Sequence, residues 1–319
     1  MKRLMAFLFK NSILLIVLAV ILYFCLRVPG FLSITTLKNI LMNSIAISII
    51  ALGLTFVLSV NKWDVSIGST ASLSAMTTCY LIQVSGGSTF LGLVGGLAVA
   101  LLCGFLNGLL VAKLHFEDIV ATIATQSLFF GLAFLYAGGY EIYKNMRPSF
   151  RFIFNGNLGV VPFVLVLTVV IYTIADIFFK KKKIGRWLYS TGNNPRAALF
   201  SAVPVERVIM IAYLLSGLFA GFAGILGASE HGRAWILLGQ GYLLTGYCVV
   251  FLGISIFEKP TPFGTLLSAF FISTIRTGFV MENVIYYLSD IVIGLLLLGA
   301  VVVSNEKKIV HQNYKVGEL

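Results

Sequence analysis

Apolar runs of about 20 residues recur along almost the whole chain, the length an α-helix needs to cross the hydrocarbon core of a bilayer. Ten are long enough: residues 12–29, 38–60, 65–85, 88–113, 118–139, 158–179, 206–229, 236–257, 262–281 and 284–304. A backbone in lipid must satisfy its own polar groups, so only helices and closed barrels span. Barrel strands show short alternating segments, and these runs do not alternate. The sequence therefore predicts an all-α polytopic membrane protein of about ten helices. The third run is rich in Ser and Thr and is the one expected to be short or broken.

Only 11% of the residues are charged, against about 25% in soluble domains. No stretch is polar enough for a separate soluble domain, so 1–319 reads as one transmembrane domain. The net charge of +11 flanks apolar runs, which points to orientation and anionic lipid rather than nucleic acid. Ten spans place both termini on one side. That side then holds Lys2, Arg3, Lys10, Lys62, Lys113, Lys180 to Lys183, Arg186, Arg196, Arg207, Lys259, Lys307, Lys308 and Lys315. The other side holds only Arg27, Lys38, Lys144, Arg147, Arg151, Arg233 and Arg276. The asymmetry places both termini in the cytoplasm. Met1-Lys-Arg3 with its apolar run lacks a small-residue cleavage site and reads as the first membrane helix rather than a signal peptide. Trp63, Trp187 and Trp235 fall at span edges, where aromatic anchors belong.

Motifs for catalysis are missing: there is no phosphate-binding loop, HExxH or GxSxG. His115, His231 and His311 are far apart and near span edges, as interfacial residues. Cys25, Cys79, Cys103 and Cys248 show neither metal spacing nor a disulfide pattern. The sequence thus predicts no catalytic residue, metal or cofactor. Gly92/Gly96, Gly104/Gly108 and Gly217/Gly221 are small-xxx-small pairs, read as helix packing within the chain ahead of dimerisation.

Polar groups inside apolar spans are costly and face cavities or one another. Here they are Asn43, Asn107, Thr122, Thr125, Gln126, Ser127, Arg276, Glu282, Asn283 and Asp290. Thr122, Gln126 and Ser127 are expected to share a face of the fifth span. With Asn107 and Thr125 they are candidates for a path that hydrogen-bonds a hydroxylated solute. Hydrogen bonding between helices is the alternative for each. Arg276 has Glu282 or Asp290 as its expected partner. No chain of intramembrane carboxylates suggests a proton relay.

Between Phe179 and Pro204 the chain turns densely polar, from Lys180 through Gly185, Arg186 and Trp187 to Gly192-Asn193-Asn194-Pro195-Arg196-Ala197-Ala198. The four lysines suit an anionic leaflet. Gly192 to Pro195 is turn chemistry, and Pro195 can open a short helix. A structured basic loop of this kind, 180–207, suits a soluble partner.

Several segments, read in order, carry a resemblance. Pro29-Gly30-Phe31-Leu32-Ser33 precedes the second span. Trp63-Asp64-Val65-Ser66-Ile67-Gly68-Ser69 is similar to an "IDLSVGS" turn. Asn107-Gly108-Leu-Leu-Val-Ala-Lys113 with Ile119-Val-Ala-Thr122 is similar to "NGLLVAKLKIPPFIVTLAT". Gly185 to Ala198 is similar to "GRxxYAxGGNxxAAxxxGI", and Ser216-Gly217 to Ile225 to "SGLLAGLAGI". Together they resemble the membrane permeases of bacterial sugar-type ABC importers, the family that includes the ribose permease. After Gly241-Tyr242 the pattern departs: Leu243 and Thr245 stand where the family has acidic residues, and Glu258-Lys259-Pro260 where it has a glycine-rich turn.

The resemblance implies a pore subunit in a bacterial inner (plasma) membrane that hydrolyses nothing itself. Its implied partners are cytoplasmic ATPase subunits, a second permease subunit, identical or a paralogue, and a periplasmic or lipid-anchored solute-binding protein. Gly185, Arg186, Gly192, Asn193, Asn194, Pro195, Arg196, Ala197 and Ala198 would couple to the ATPase; Asp64, Ser66 and Gly68 form the family's motif turn. A monosaccharide is the implied solute, with autoinducer-2 or a nucleoside as alternatives. The rival classes are an ion-coupled secondary transporter, which needs inverted repeats, and a membrane enzyme, which needs clustered acidic or histidine residues at depth.

Overall fold

The computed structural model describes residues 12–86, 88–284 and 288–302. Lys2, Arg3, Lys10, Lys307, Lys308, Lys315 and His311, on which part of the orientation and interfacial readings rests, lie outside them. In chain order the helices are α1 (Ser12–Arg27), α2 (Ile34–Ser59), α3 (Ile67–Val84), α4 (Thr89–Gly108, extended by a π-helical turn to Lys113) and α5 (Asp118–Ala137). Then come α6 (Pro148–Asn155), a hairpin of β1 (Asn157–Leu158) and β2 (Val161–Pro162), α7 (Phe163–Lys181), α8 (Lys183–Asn193) and α9 (Pro195–Phe200). The last are α10 (Val205–His231), α11 (Gln240–Phe257), α12 (Pro262–Met281) and α13 (Leu288–Val302). The fold is all-α and polytopic. Each of the ten apolar runs holds a helix, and seven of the described helices are long and apolar enough to cross a membrane by themselves.

The chain divides into two compact units. One holds Ile45–Gly246, and its centre is α3, α4 and α10. Glycines let these three backbones meet. A methyl on Gly217 would lie 2.5 Å from Ala100 O and 2.8 Å from the Gly104 Cα. One on Gly224 would run into the carbonyl of Ala71, and one on Gly96 into Thr78 and the carbonyl of Ser74. All three small-xxx-small pairs therefore seat helices of this chain against one another.

The Ser- and Thr-rich α3 is neither short nor broken: it is an 18-residue helix. Residues Ile67 to Cys79 are all buried. Surrounded by protein, hydroxyls of this helix find partners within the unit, as where Ser74 Oγ donates to Gly96 O at 2.9 Å, while Thr78 Oγ1 is buried with no hydrogen-bond partner among the described residues. Lipid contact falls instead to α4, α5 and α7, whose apolar windows are each only 28% buried.

At opposite ends of α7 lie two segments that are not membrane spans. The 139–162 stretch contains α6, which starts at Pro148 and buries Phe150 and Phe154. Ser229 Oγ fixes it, donating to Phe150 O at 2.7 Å and accepting from Phe154 N at 3.1 Å. The hairpin follows, turning through Gly159 at φ +65°, so α7 begins at Phe163 rather than 158.

The other unit holds residues 1–44 and 247–319. Phe24 packs edge-on against Phe279 at 5.2 Å between ring centres, and Ser273 Oγ donates to Ile40 O at 2.8 Å. Arg276 pairs with Asp290 at 3.2 Å, while Glu282 accepts from the Tyr23 hydroxyl at 2.9 Å. Asp290, not Glu282, is thus the arginine's partner.

Candidate functional site

Two features of the larger unit stand out, a buried polar network and a pair of short helices. They meet at the turn between α2 and α3.

The turn begins where α2 ends. Asn61 takes a left-handed φ of 55°, a conformation that asparagine tolerates better than most residues. Polar groups of the next residues are then held by other helices. Trp63 N–H donates to Asp118 Oδ2 of α5 at 2.6 Å. Trp63 C=O accepts from the Tyr213 hydroxyl of α10 at 2.7 Å. Val65 N–H donates to Thr122 Oγ1 at 3.1 Å. Lys62 lies 3.9 Å from Asp118.

Asp64 is the centre of the network and only 2% exposed. Its Oδ1 accepts from Ser66 N–H at 3.1 Å and Ser66 Oγ at 2.7 Å, and its Oδ2 accepts from Ser216 Oγ of α10 at 2.8 Å. Ser66 Oγ in turn accepts from Asn107 Nδ2 of α4 at 2.7 Å, and Asn107 Oδ1 accepts from Thr125 Oγ1 of α5 at 2.7 Å. Protons thus point one way along the chain of groups, from Thr125 to Asp64. Burial holds the Asp64 carboxyl above the ordinary carboxylate range, and the bonds from Ser66 and Ser216 draw it back down. Gly68 belongs here too: a side chain would meet Gly239 O at 2.5 Å.

Of the five expected path residues, the structure draws Asn107, Thr122 and Thr125 into this network. It leaves Gln126 half-buried and Ser127 exposed. Ser127 Oγ bonds its own helix at Ile123 O, 3.4 Å away. The face that α5 turns inward therefore runs through Asp118, Thr122 and Thr125, not through Ser127. A cavity of about 520 Å³ beside α3, α4 and α5 is lined mostly by apolar side chains such as Leu73, Val99, Leu102, Leu128 and Leu132, with Tyr80 and Tyr136. Sequence reading missed Asp118 and Tyr213 as network members and the bond from Ser216 to Asp64.

The second feature is α8 and α9. Gly185 sits where α7 turns into α8, with its Cα facing the carbonyls of Phe178 and Phe179. α8 runs through Gly192 and Asn193, so the expected turn at 192–195 contracts to one residue. Asn194 is extended (φ −157°, ψ 97°) because a proline follows it, and its Oδ1 caps α9 by accepting from Ala197 N–H at 3.0 Å. Ala198 is buried. Arg186, Asn193, Pro195, Arg196 and Ala197 face outward. Beside them Leu199 and Phe200 are 64% and 91% exposed. Gly192 is pressed against the carbonyl of Ser59 and the Cα of Val60, where a methyl has no room.

The sequence matches the family described as "Branched-chain amino acid transport system / permease component" over residues 36–301. The chain belongs to this permease family. It is 33% identical over 304 residues to an autoinducer 2 import system permease protein of Enterobacter sp. strain 638, covering 93% of this chain and 88% of that one. It is 29% identical over 282 residues to a ribose import permease protein of Bacillus subtilis, covering 88% and 87%. It is 30% identical over 301 residues to a probable ABC transporter permease protein of Sinorhizobium fredii, covering 93% and 88%. A solved structure of PsaBC from Streptococcus pneumoniae in complex with Fab superposes with a TM-score of 0.49 at 15% identity, over 86% of this chain and 91% of that one. The names in this permease family span amino acids, ribose and autoinducer 2, so membership fixes the kind of machine and leaves the cargo open.

Proposed function

We propose that the chain is the membrane pore subunit of an ATP-driven importer in a bacterial inner membrane. In this reading it passes a small polar solute, a monosaccharide first, into the cytoplasm. The observation that carries it is the family match together with α8–α9, a pair of short helices whose exposed Arg196, Leu199 and Phe200 have the arginine-and-aromatic character of a protein interface. A separate ATPase docks there and hydrolyses ATP. Residues Gly185, Arg186, Gly192 to Asn194 and Pro195 to Ala198 shape that surface. Lys62, Lys113, Lys180 to Lys183, Arg186, Arg196 and Arg207 gather at that end of the helices, which supports placing it inside. A second permease subunit completes the pore, and a solute-binding protein delivers from the opposite face. Gln126, half-buried on α5 and outside the network, is the candidate that remains for the solute path.

Autoinducer 2 is the second reading for the solute, compatible with the 33% identical relative named for it. The test is purification of the chain from its native membrane with identification of what accompanies it. An ATPase is expected, with uptake of ribose or autoinducer 2 dependent on ATP. A chain that purifies alone and transports on an ion gradient would replace this reading with a secondary transporter.

A further inference from the structure

The 60–66 turn touches both features of the site. On one side, Gly192 of α8 abuts the Ser59 carbonyl and Val60, so α8 cannot shift toward α2 without displacing the start of the turn. On the other side, the turn is gripped by α4, α5 and α10. Trp63 is clamped through both of its backbone polar groups, by Asp118 at its N–H and by Tyr213 at its C=O. Asp64 and Ser66 are tied to Ser216 and Asn107.

We propose that this turn carries movement of α8–α9 into α4, α5 and α10, with Asp64, Asp118 and Tyr213 as positioning residues for transport. The proposal rests on the importer reading above, in which an ATPase moves α8–α9. Its physical basis is that the bonds are directional, those of Asp64, Ser66 and Asn107 buried and those of Trp63 part-buried. A displaced carbonyl or carboxylate must either drag its partner helix or leave a buried polar group unsatisfied. The carboxylate at the centre sharpens the point. Static helix packing in this unit is supplied by glycines and hydroxyls. A buried acid adds a desolvation cost that simple packing does not require. Pull on the turn therefore reaches three helices at once, and these include α4 and α5 of the lipid-facing wall.

The test needs no knowledge of the solute. His115 and Glu206, exposed at the near ends of α5 and α10, approach to 4.0 Å. A chain carrying His115→Cys and Glu206→Cys is purified with the ATPase that accompanies it and treated with a short bis-maleimide, with and without ATP trapped by vanadate. The cross-linking rate is expected to differ between the two states. In Tyr213→Phe and Asp64→Asn backgrounds the ATPase is expected to co-purify and hydrolyse ATP as before, while the nucleotide dependence of cross-linking is lost. A purely structural role would lower yield and hydrolysis together and leave that dependence in the surviving complex. Dependence of wild-type size in both variants, or none in the unaltered turn, overturns the proposal. If the unaltered chain captures no ATPase, the importer reading itself fails.

Discussion

Asp64 is a carboxyl group surrounded by hydroxyls and amides rather than by water, and its environment sets a pH signature. Its folded-state value lies above the usual 3.8, so the folded chain holds the proton more tightly than the unfolded one. Stability from this group is complete below about 3.8 and declines as pH rises through the raised value. Asp64→Asn removes the titration. The thermal midpoint of the variant in detergent is expected to gain on that of the parent as pH rises from 4 to 7; a difference that stays flat with pH contradicts the assignment. Asn107 is held differently, donating with one end and accepting with the other. Asn107→Ala is expected to lose about 1–3 kcal/mol. Asn107→Asp is expected to lose more, since it sets a second carboxylate beside the first; equal melting of the two variants would speak against a directional network. Asn107, Thr122 and Thr125 were visible in the sequence as polar residues in apolar surroundings, and Asp64 and Ser66 as part of a motif turn. Asp118 and Tyr213 were not, because their partner Trp63 lies 55 and 150 residues away, and nothing local marks such a pair.

Among the elements, long apolar runs translated directly into helices, since length alone decides whether a run can span. The α9 helix was equally legible, from Pro195 at its start. What composition could not give was the environment of α3. A run diluted with Ser and Thr reads as weak, yet it is a full helix because its neighbours, not lipid, surround it. The α6 helix was hidden for a related reason: Phe150 and Phe154 form too short a stripe to register beside 20-residue runs. The glycines offer a paired prediction. Gly131 on α5 has open space around its Cα, whereas Gly224 on α10 abuts the Ala71 backbone. Gly131→Ala is expected to be neutral or to stabilise by up to about 1 kcal/mol, and Gly224→Ala to lower the folded yield sharply, as read by size-exclusion of detergent extracts. On α9, Phe200→Ala and Arg196→Glu are expected to weaken ATPase capture in pull-downs severalfold while leaving the subunit's own melting unchanged. Undiminished capture by both would move the docking surface elsewhere.

For the molecule as a whole, the distribution of polarity is inverted relative to a soluble protein. The outer walls of α4, α5 and α7 are apolar, and the most hydroxyl-rich helix is at the centre of its unit. This has a consequence for how the chain is made. Helices enter the bilayer from the ribosome in order, each judged by its own partition free energy. As an isolated segment α3 is a poor candidate for that passage, with Ser69, Thr70, Ser72, Ser74, Thr77 and Thr78 along its length. Placed alone in an insertion reporter it is expected to insert less efficiently than α4, and fusion to α4 is expected to raise its insertion; efficient solitary insertion would refute this. Its final neighbour α10 is synthesised more than a hundred residues later. Until α10 arrives, part of the future core of this unit faces lipid or the insertion machinery, so biogenesis of this subunit contains a waiting period that its finished architecture conceals.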